Sequence, residues 1–152
     1  GNIVKSYIVN HGEALSEITH TCRRNLTCVI CKRMMLRYAE SIAKEEKADA
    51  IVMGDSLGQV ASQTLRNIRV EQQAIHFPVL QPLIGFDKQE IVDMARDVGI
   101  YDFSILSSQS CSAVPTKPST QAKLSDVLSE EKKLNIDKLV QKAIHDAELF
   151  SS

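Results

Sequence analysis

The sequence has no long apolar run, no signal-peptide pattern and no surplus of either charge. Its longest wholly apolar runs are a few residues, which excludes a membrane-spanning helix. Residues 1–5 lack the basic head and apolar stretch of a signal peptide, so we expect a cytoplasmic protein. Six glycines and four prolines in 152 residues exclude collagen-like and low-complexity chains. The missing initial Met suggests a processed or cloned segment.

The charge balance argues against autonomous, tight binding of nucleic acid. The net charge is −1 and the pI about 6.5, whereas chains that hold RNA or DNA on their own carry a basic surplus. Residues 22–39 nevertheless contain several basic residues and no acidic residue: Arg23, Arg24, Lys32, Arg33 and Arg37. This run predicts either a local anion site or a solvated basic face.

Short apolar runs alternate with amphipathic segments, which predicts an α/β fold with a parallel sheet flanked by helices. Strands are predicted at 3–9, 50–53 and 79–80, and helices at 13–20, 28–47, 60–73, 87–99, 121–133 and 136–150. Thr27, Asp87 with Glu90, and Asn135 are the predicted helix caps. Three strands make a small sheet, so either a partner completes it or part of a larger domain is missing.

A glycine follows the second predicted strand, in the segment 51–64. Gly54 at the carboxyl end of a parallel strand lets a ligand approach the backbone, and the next helix points its positive end there. No GxGxxG or GxxxxGK[ST] motif is present, so a plain strand-to-helix turn is the alternative.

Four cysteines in a chain without an export signal do not indicate a disulfide framework. Cys28 and Cys31 form a Cys-x-x-Cys pair near a helix start, where the dipole and the neighbouring cations are expected to lower thiol pKa. The alternative is two buried cysteines on an apolar helix face. A thioredoxin signature and a second zinc-binding pair are both absent; His11, His20 or Cys22 could add a ligand, at irregular spacing.

The remaining cysteine, Cys111, lies in a Ser-rich predicted loop, 104–120. This loop is long enough to bring Cys111 to Cys28 and Cys31. Three cysteines at one site would suit an iron–sulfur cluster with one open iron, or a sulfur relay. Cys22 precedes the long helix and is expected to be dispensable.

Four segments together resemble the ThiI family of ATP-dependent tRNA uridine sulfurtransferases. They are Lys-Arg-Met-Met at 32–35, Gly-Asp-Ser-Leu-Gly-Gln-Val-Ala-Ser-Gln-Thr at 54–64, Pro-Leu-Ile-Gly at 82–85 and Asp-Lys-x-Glu-Ile at 87–91. The resemblance runs from about residue 3 to residue 117. It implies a partial Rossmann-like, adenine nucleotide alpha hydrolase-like sheet, with residues 1–120 as part of the nucleotide domain and 121–152 as a helical extension.

The resemblance also implies roles for individual residues. Lys32, Gly54 and Gln63 would line the ATP site, and Lys88 would be needed for activity. Cys111 would receive sulfur, and with Cys28 and Cys31 it would hold a [4Fe–4S]-type cluster.

The family reaction implied for the intact enzyme is formation of 4-thiouridine in tRNA. ATP adenylates the uridine carbonyl oxygen and sulfur displaces AMP; some members also serve thiamine biosynthesis.

The family's Ser-Gly-Gly-x-Asp-Ser pyrophosphate loop is absent from these residues. We therefore expect the chain alone to be inactive, to bind ATP and tRNA weakly or not at all, and to form a homo-oligomer or pair with a partner that supplies the missing half. A non-catalytic metal-binding or interaction module derived from the family is the alternative function.

Overall fold

The computed structural model describes residues 4–60, 62–106, 111 and 113–151. None of the helices in these ranges has the length and apolar character needed to cross a membrane. The elements in chain order are β1 (Lys5–Ile8), α1 (Gly12–Thr21), a 3₁₀ turn (Arg24–Leu26), α2 (Thr27–Glu45), β2 (Ile51–Val52), α3 (Leu65–Gln72), β3 (Val79–Leu80), α4 (Lys88–Asp97), α5 (Tyr101–Ser104), α6 (Leu124–Glu131), α7 (Ile136–His145) and β4 (Glu148–Ser151).

Helix α2 is the centre of the fold and packs against α1, α3, α6 and α7. Its apolar residues face two neighbouring clusters because they lie on more than one side of the helix. The first cluster contains Ile18, Cys22, Leu26, Val29, Ile30, Val70, Ala122, Val127 and Leu134. The second contains Ala14, Met34, Tyr38, Leu139 and Ala143. Each large side chain buried here contributes about 1.5–3 kcal/mol to folding.

The predicted strands at 50–53 and 79–80 form a parallel pair, with Ile51 opposite Val79 and Val52 opposite Leu80. The first predicted strand differs from the expectation. Strand β1 pairs with β4 in antiparallel register from Lys5–Ser151 to Ile8–Glu148, and within the described ranges it is not bonded to the parallel pair.

Strand β4 was not predicted, because the last predicted helix was extended to residue 150. Helix α7 ends at His145. Ala147 continues the apolar spacing of the helix towards β4, so the pattern does not show where the helix ends. The partner of β4 lies at the opposite end of the chain, so no local pattern reports the pairing.

Two predicted caps are confirmed and one is wrong. The Asp87 carboxylate accepts from the backbone of Glu90, whose side chain accepts from Asp87 in return, and Asn135 caps α7. Thr27 is instead a buried residue in the first turn of α2 and makes no cap. Helix α3 starts five residues later than predicted, at Leu65 rather than residue 60, with Thr64 as its cap.

The apolar side chains of α4 are not buried in this structure. Helix α4 contains no buried residue, and Val52 and Leu80 of the parallel pair are also exposed. Completion of the sheet by a partner or by more chain therefore stays a prediction, as does the division at residue 120. Ala122 and Val127 share the first cluster with Ile18 of α1.

Candidate nucleotide and cysteine site

The three residues expected to contact ATP converge on Asp55, at the carboxyl end of β2. Lys32 Nζ donates to Asp55 Oδ1 at 2.8 Å, and Gln63 Nε2 donates to the same oxygen at 3.3 Å. Gly54 directly precedes Asp55, and a Cβ added to it would meet no atom of the described residues within 4 Å, its chain neighbours aside. The backbone at Gly54 is therefore open to a ligand. The structure thus brings Lys32, Gly54 and Gln63 together.

Asp55 organises this group and was not singled out from the sequence. Its second oxygen, Oδ2, accepts from Gln81 Nε2 at 3.0 Å. Burial alone would raise the pKa of Asp55, but the Lys32 cation and the two amides outweigh burial and the net shift is downward. Asp55 is thus a carboxylate that holds Lys32 in place. A carboxylate directly after a parallel strand is the signal that could have identified it.

Glu71 is the second residue that sequence reasoning missed. It is 2% exposed and its Oε2 lies 3.7 Å from Lys32 Nζ. Burial raises its pKa to about 7, with Asp55 adding to the rise and Lys32 opposing it. The sequence places Glu71 in the predicted helix 60–73, and nothing in that pattern indicates that its side chain is buried.

Two buried oxygens in this group have no hydrogen-bond partner among the described residues: Gln63 Oε1 and Glu71 Oε1. Buried acceptors without donors are costly and rare, so they suit a ligand that brings hydrogen-bond donors. Lys32 adds a cation for phosphate and Gly54 an open backbone. These residues fit a nucleotide.

The Cys-x-x-Cys pair is half-buried in the first two turns of α2. Cys31 Sγ lies 2.9 Å from His11 Nε2, and His11 Nδ1 lies 3.3 Å from the hydroxyl of Tyr38. Burial raises the pKa of Cys31 to about 12 and raises that of Cys28 as well, while Lys32 lowers both by less. The expected lowering of the thiol pKa is therefore wrong.

Cys111 is exposed, and its charge when ionised contributes to the raised pKa of Cys28 and Cys31. The described residues nevertheless contain no group of three His, Cys, Asp or Glu side chains arranged to hold a metal ion. The cluster on Cys28, Cys31 and Cys111 therefore stays a prediction. Cys22 lies in the first core cluster.

Lys88 makes no hydrogen bond or ion pair with the Asp55 group among the described residues. It is the exposed first residue of α4, and its loop is tied to the loop after β2 by a hydrogen bond of 2.8 Å from Ser56 Oγ to the carbonyl of Phe86. The expectation that the reaction needs Lys88 stays a prediction.

The basic run at 22–39 is not a uniformly solvated face, because acidic residues pair with four of its five cations. Glu131 of α6 accepts two hydrogen bonds from Arg33 and two from Arg37, at 2.7–3.0 Å. Arg23 contacts Glu130, and Lys32 contacts Asp55. Acidic residues distant in the chain pair with these four cations. Arg33 and Arg37 join α2 to α6, and Lys32 joins α2 to the loop after β2.

Comparison with known proteins places this geometry in a family. The family model for the thiamine biosynthesis protein (ThiI) matches residues 2–136. A probable tRNA sulfurtransferase of Methanosarcina mazei is 44% identical over 150 residues, which are 99% of this chain and 37% of the relative. The chain belongs to the ThiI family. A probable tRNA sulfurtransferase of Finegoldia magna is 43% identical, over 99% of this chain and 39% of the relative.

A solved ThiI-type structure shows the fold. The crystal structure of a 4-thiouridine synthetase–RNA complex with bound ATP matches with a TM-score of 0.94 at 33% identity, over 99% of this chain and 40% of that chain. The predicted α/β, adenine nucleotide alpha hydrolase-like fold is thereby confirmed. The chain spans about two fifths of the length of the relatives it matches.

Proposed function

We propose that this chain forms the part of an ATP-dependent tRNA uridine sulfurtransferase that holds the nucleotide through Lys32 and handles sulfur through its cysteines. The observation that carries the proposal is the convergence of Lys32, Gly54 and Gln63 on Asp55. Family membership supports the tRNA substrate, because the relatives are named tRNA sulfurtransferases and the solved one is an RNA complex. A part in thiamine biosynthesis rests on the family name alone.

The residues of the Asp55 group, which we name the nucleotide site, divide the work among binding, orientation and charge. Lys32 supplies the cation for the phosphates, and Asp55 fixes the direction of its ammonium group. Gln63 and Glu71 present the free acceptors Oε1 to donors of the ligand. Bound ATP would supply the group that activates the uracil carbonyl oxygen for replacement by sulfur.

Inactivity of the chain alone is part of the proposal. The 152 residues contain no Ser-Gly-Gly-x-Asp-Ser loop, so the backbone cradle for the pyrophosphate is not among them. We expect this chain to bind ATP weakly or not at all by itself, and strongly once that loop is present.

Acyl-phosphate ATP tests the proposal, because it acylates a lysine that lies beside bound phosphate and reports weak sites. We expect labelling of Lys32, found by peptide mass spectrometry, that excess ATP suppresses. Exposed Lys138 is the control and should be labelled equally with and without ATP. Labelling of Lys32 that ATP leaves unchanged would contradict the proposal.

A further inference from the structure

Three separate segments of the chain carry basic residues and no acidic residue: 21–27, 62–70 and 113–125. The acidic residues that directly follow two of them offset only part of this charge. Glu71 is buried, and Asp126 lies 3.7 Å from Arg23. The net charge of −1 for the whole chain therefore conceals local segregation of charge.

Hydrogen bonds bring the three segments side by side. The backbone N–H of Ser119 donates to the carbonyl of Asn25 at 2.8 Å, which joins the third segment to the first. Thr64 Oγ1 donates to the carbonyl of Thr120 at 2.7 Å, and Arg66 donates to the Gln121 side chain at 2.9 Å. These bonds join the third segment to the second.

Asn67 fixes this junction from inside. Its side chain is fully buried, and Nδ2 donates to the carbonyls of Ser119 at 2.7 Å and Ser62 at 3.0 Å. Its Oδ1 accepts from the backbone N–H of Ala122 at 2.9 Å. A buried amide that satisfies three backbone groups holds the loop in one position relative to α3.

Five exposed cations of these segments make no ion pair with any described residue, and we name them the basic face: Arg24, Arg66, Arg69, Lys117 and Lys123. They contrast with the cations of α2, which acidic residues neutralise. Arg66 lies three residues beyond Gln63 of the nucleotide site, and Lys117 follows Cys111 in the same loop. Two cations of the basic face are therefore close along the chain to the two candidate sites.

We propose that the basic face binds the phosphate backbone of the RNA substrate and holds the RNA beside the nucleotide site and Cys111. This inference rests on the proposed function. Cations spread over three segments suit a polyanion, because a small anion would reach only one or two of them. The expected weak binding by the isolated chain is consistent with five contacts at most.

Fluorescence anisotropy of end-labelled tRNA, titrated with the full chain at several salt concentrations, tests the proposal. The double reversal Arg24→Glu/Lys117→Glu should weaken binding at least about tenfold at low salt and reduce the salt slope by about two, one for each lost phosphate contact. The matched control is Lys132→Glu/Lys138→Glu, which changes the net charge equally on exposed positions of the C-terminal helices. The control should keep the wild-type slope.

The neutral pair Lys117→Gln/Lys123→Gln guards against misfolding and should give the same direction with a smaller loss. Equal weakening in the control, an unchanged slope in both test variants, or no tRNA binding by the wild type at the lowest salt would each overturn the proposal. ATP-sensitive labelling of Lys32 is measured separately. Labelling without RNA binding overturns the basic face alone, whereas RNA binding without labelling overturns the nucleotide role.

Discussion

Glu131→Gln should be among the most destabilising single substitutions in this chain that conserve volume. Glu131 is 6% exposed and accepts four hydrogen bonds from Arg33 and Arg37. The amide replaces one acceptor oxygen by a donor that faces guanidinium donors. It leaves Arg33, which is 1% exposed, as a buried charge without an anion.

The expected loss of unfolding free energy is about 3–5 kcal/mol, the cost of removing one partner of a buried ion pair. At about 2–4 °C per kcal/mol for a chain of this size, the melting temperature should fall by roughly 10 °C. The neighbouring Glu130→Gln is the matched control. The partners of Glu130, Arg23 and Lys133, are about half exposed, so its loss should be about 0–1 kcal/mol.

Urea unfolding followed by circular dichroism measures both variants, with pH as a further check. Burial would raise the pKa of Glu131, but hydrogen bonds and charge from Arg33 and Arg37 make the net shift downward. An acid with a lowered pKa contributes its stability above its ordinary value near 4.5 and loses it as the pH falls. The gap between wild type and Glu131→Gln should therefore be constant near neutrality and narrow below pH 4.5. A loss under about 1 kcal/mol, or one equal to that of Glu130→Gln, would refute this reasoning.

The remaining predictions concern Glu71, the junction held by Asn67, the cysteines and the oligomeric state. Glu71, with a pKa raised to about 7, keeps a proton in the folded state that the unfolded chain loses, so stability should fall between pH 4.5 and 7, and Glu71→Gln should abolish that slope in urea titrations. Asn67→Ala should lower the free energy of unfolding by about 2–4 kcal/mol and speed proteolysis near residue 119; cleavage at the wild-type rate would contradict the role of Asn67 in holding the junction. Anaerobic reconstitution with iron and sulfide, read by visible absorption, should give a cluster that Ala at Cys28, Cys31 or Cys111 abolishes and Ala at Cys22 preserves; no iron uptake would exclude the cluster. Light scattering should show a dimer or larger species, because apolar side chains such as Val52 and Leu80 are exposed, and a monomer would exclude this.

Local patterns in the sequence predicted the elements with local causes. Helix α2 follows from its three- and four-residue apolar spacing, and α4 from the capping box of Asp87 and Glu90. Strand β4 and the Arg33–Glu131 pair depend on residues distant in the chain, and no local pattern reports such pairings. The sequence therefore predicts the α/β class and misplaces β1.

The candidate site shows the same division. The segments that resemble the family identify Lys32, Gly54 and Gln63. Gly54 and Gln63 lie in the strand-to-helix turn after β2, and Lys32 reaches Asp55 from α2. Asp55 and Glu71 were missed because their roles depend on burial beside Lys32, which only packing determines. The thiol pKa of Cys31 was expected to fall because helix position was considered without burial.

The measurement that tests the central claim most directly is 4-thiouridine formation by a chimera of the Methanosarcina mazei relative. In the chimera this chain replaces the segment it matches, which is 37% of that protein. The account predicts that tRNA incubated with the chimera, ATP and a sulfur donor contains 4-thiouridine by mass spectrometry, and that Lys32→Ala abolishes the product while Lys138→Ala does not. A folded chimera that forms no 4-thiouridine while the relative does, or full activity of the Lys32→Ala chimera, would contradict the account.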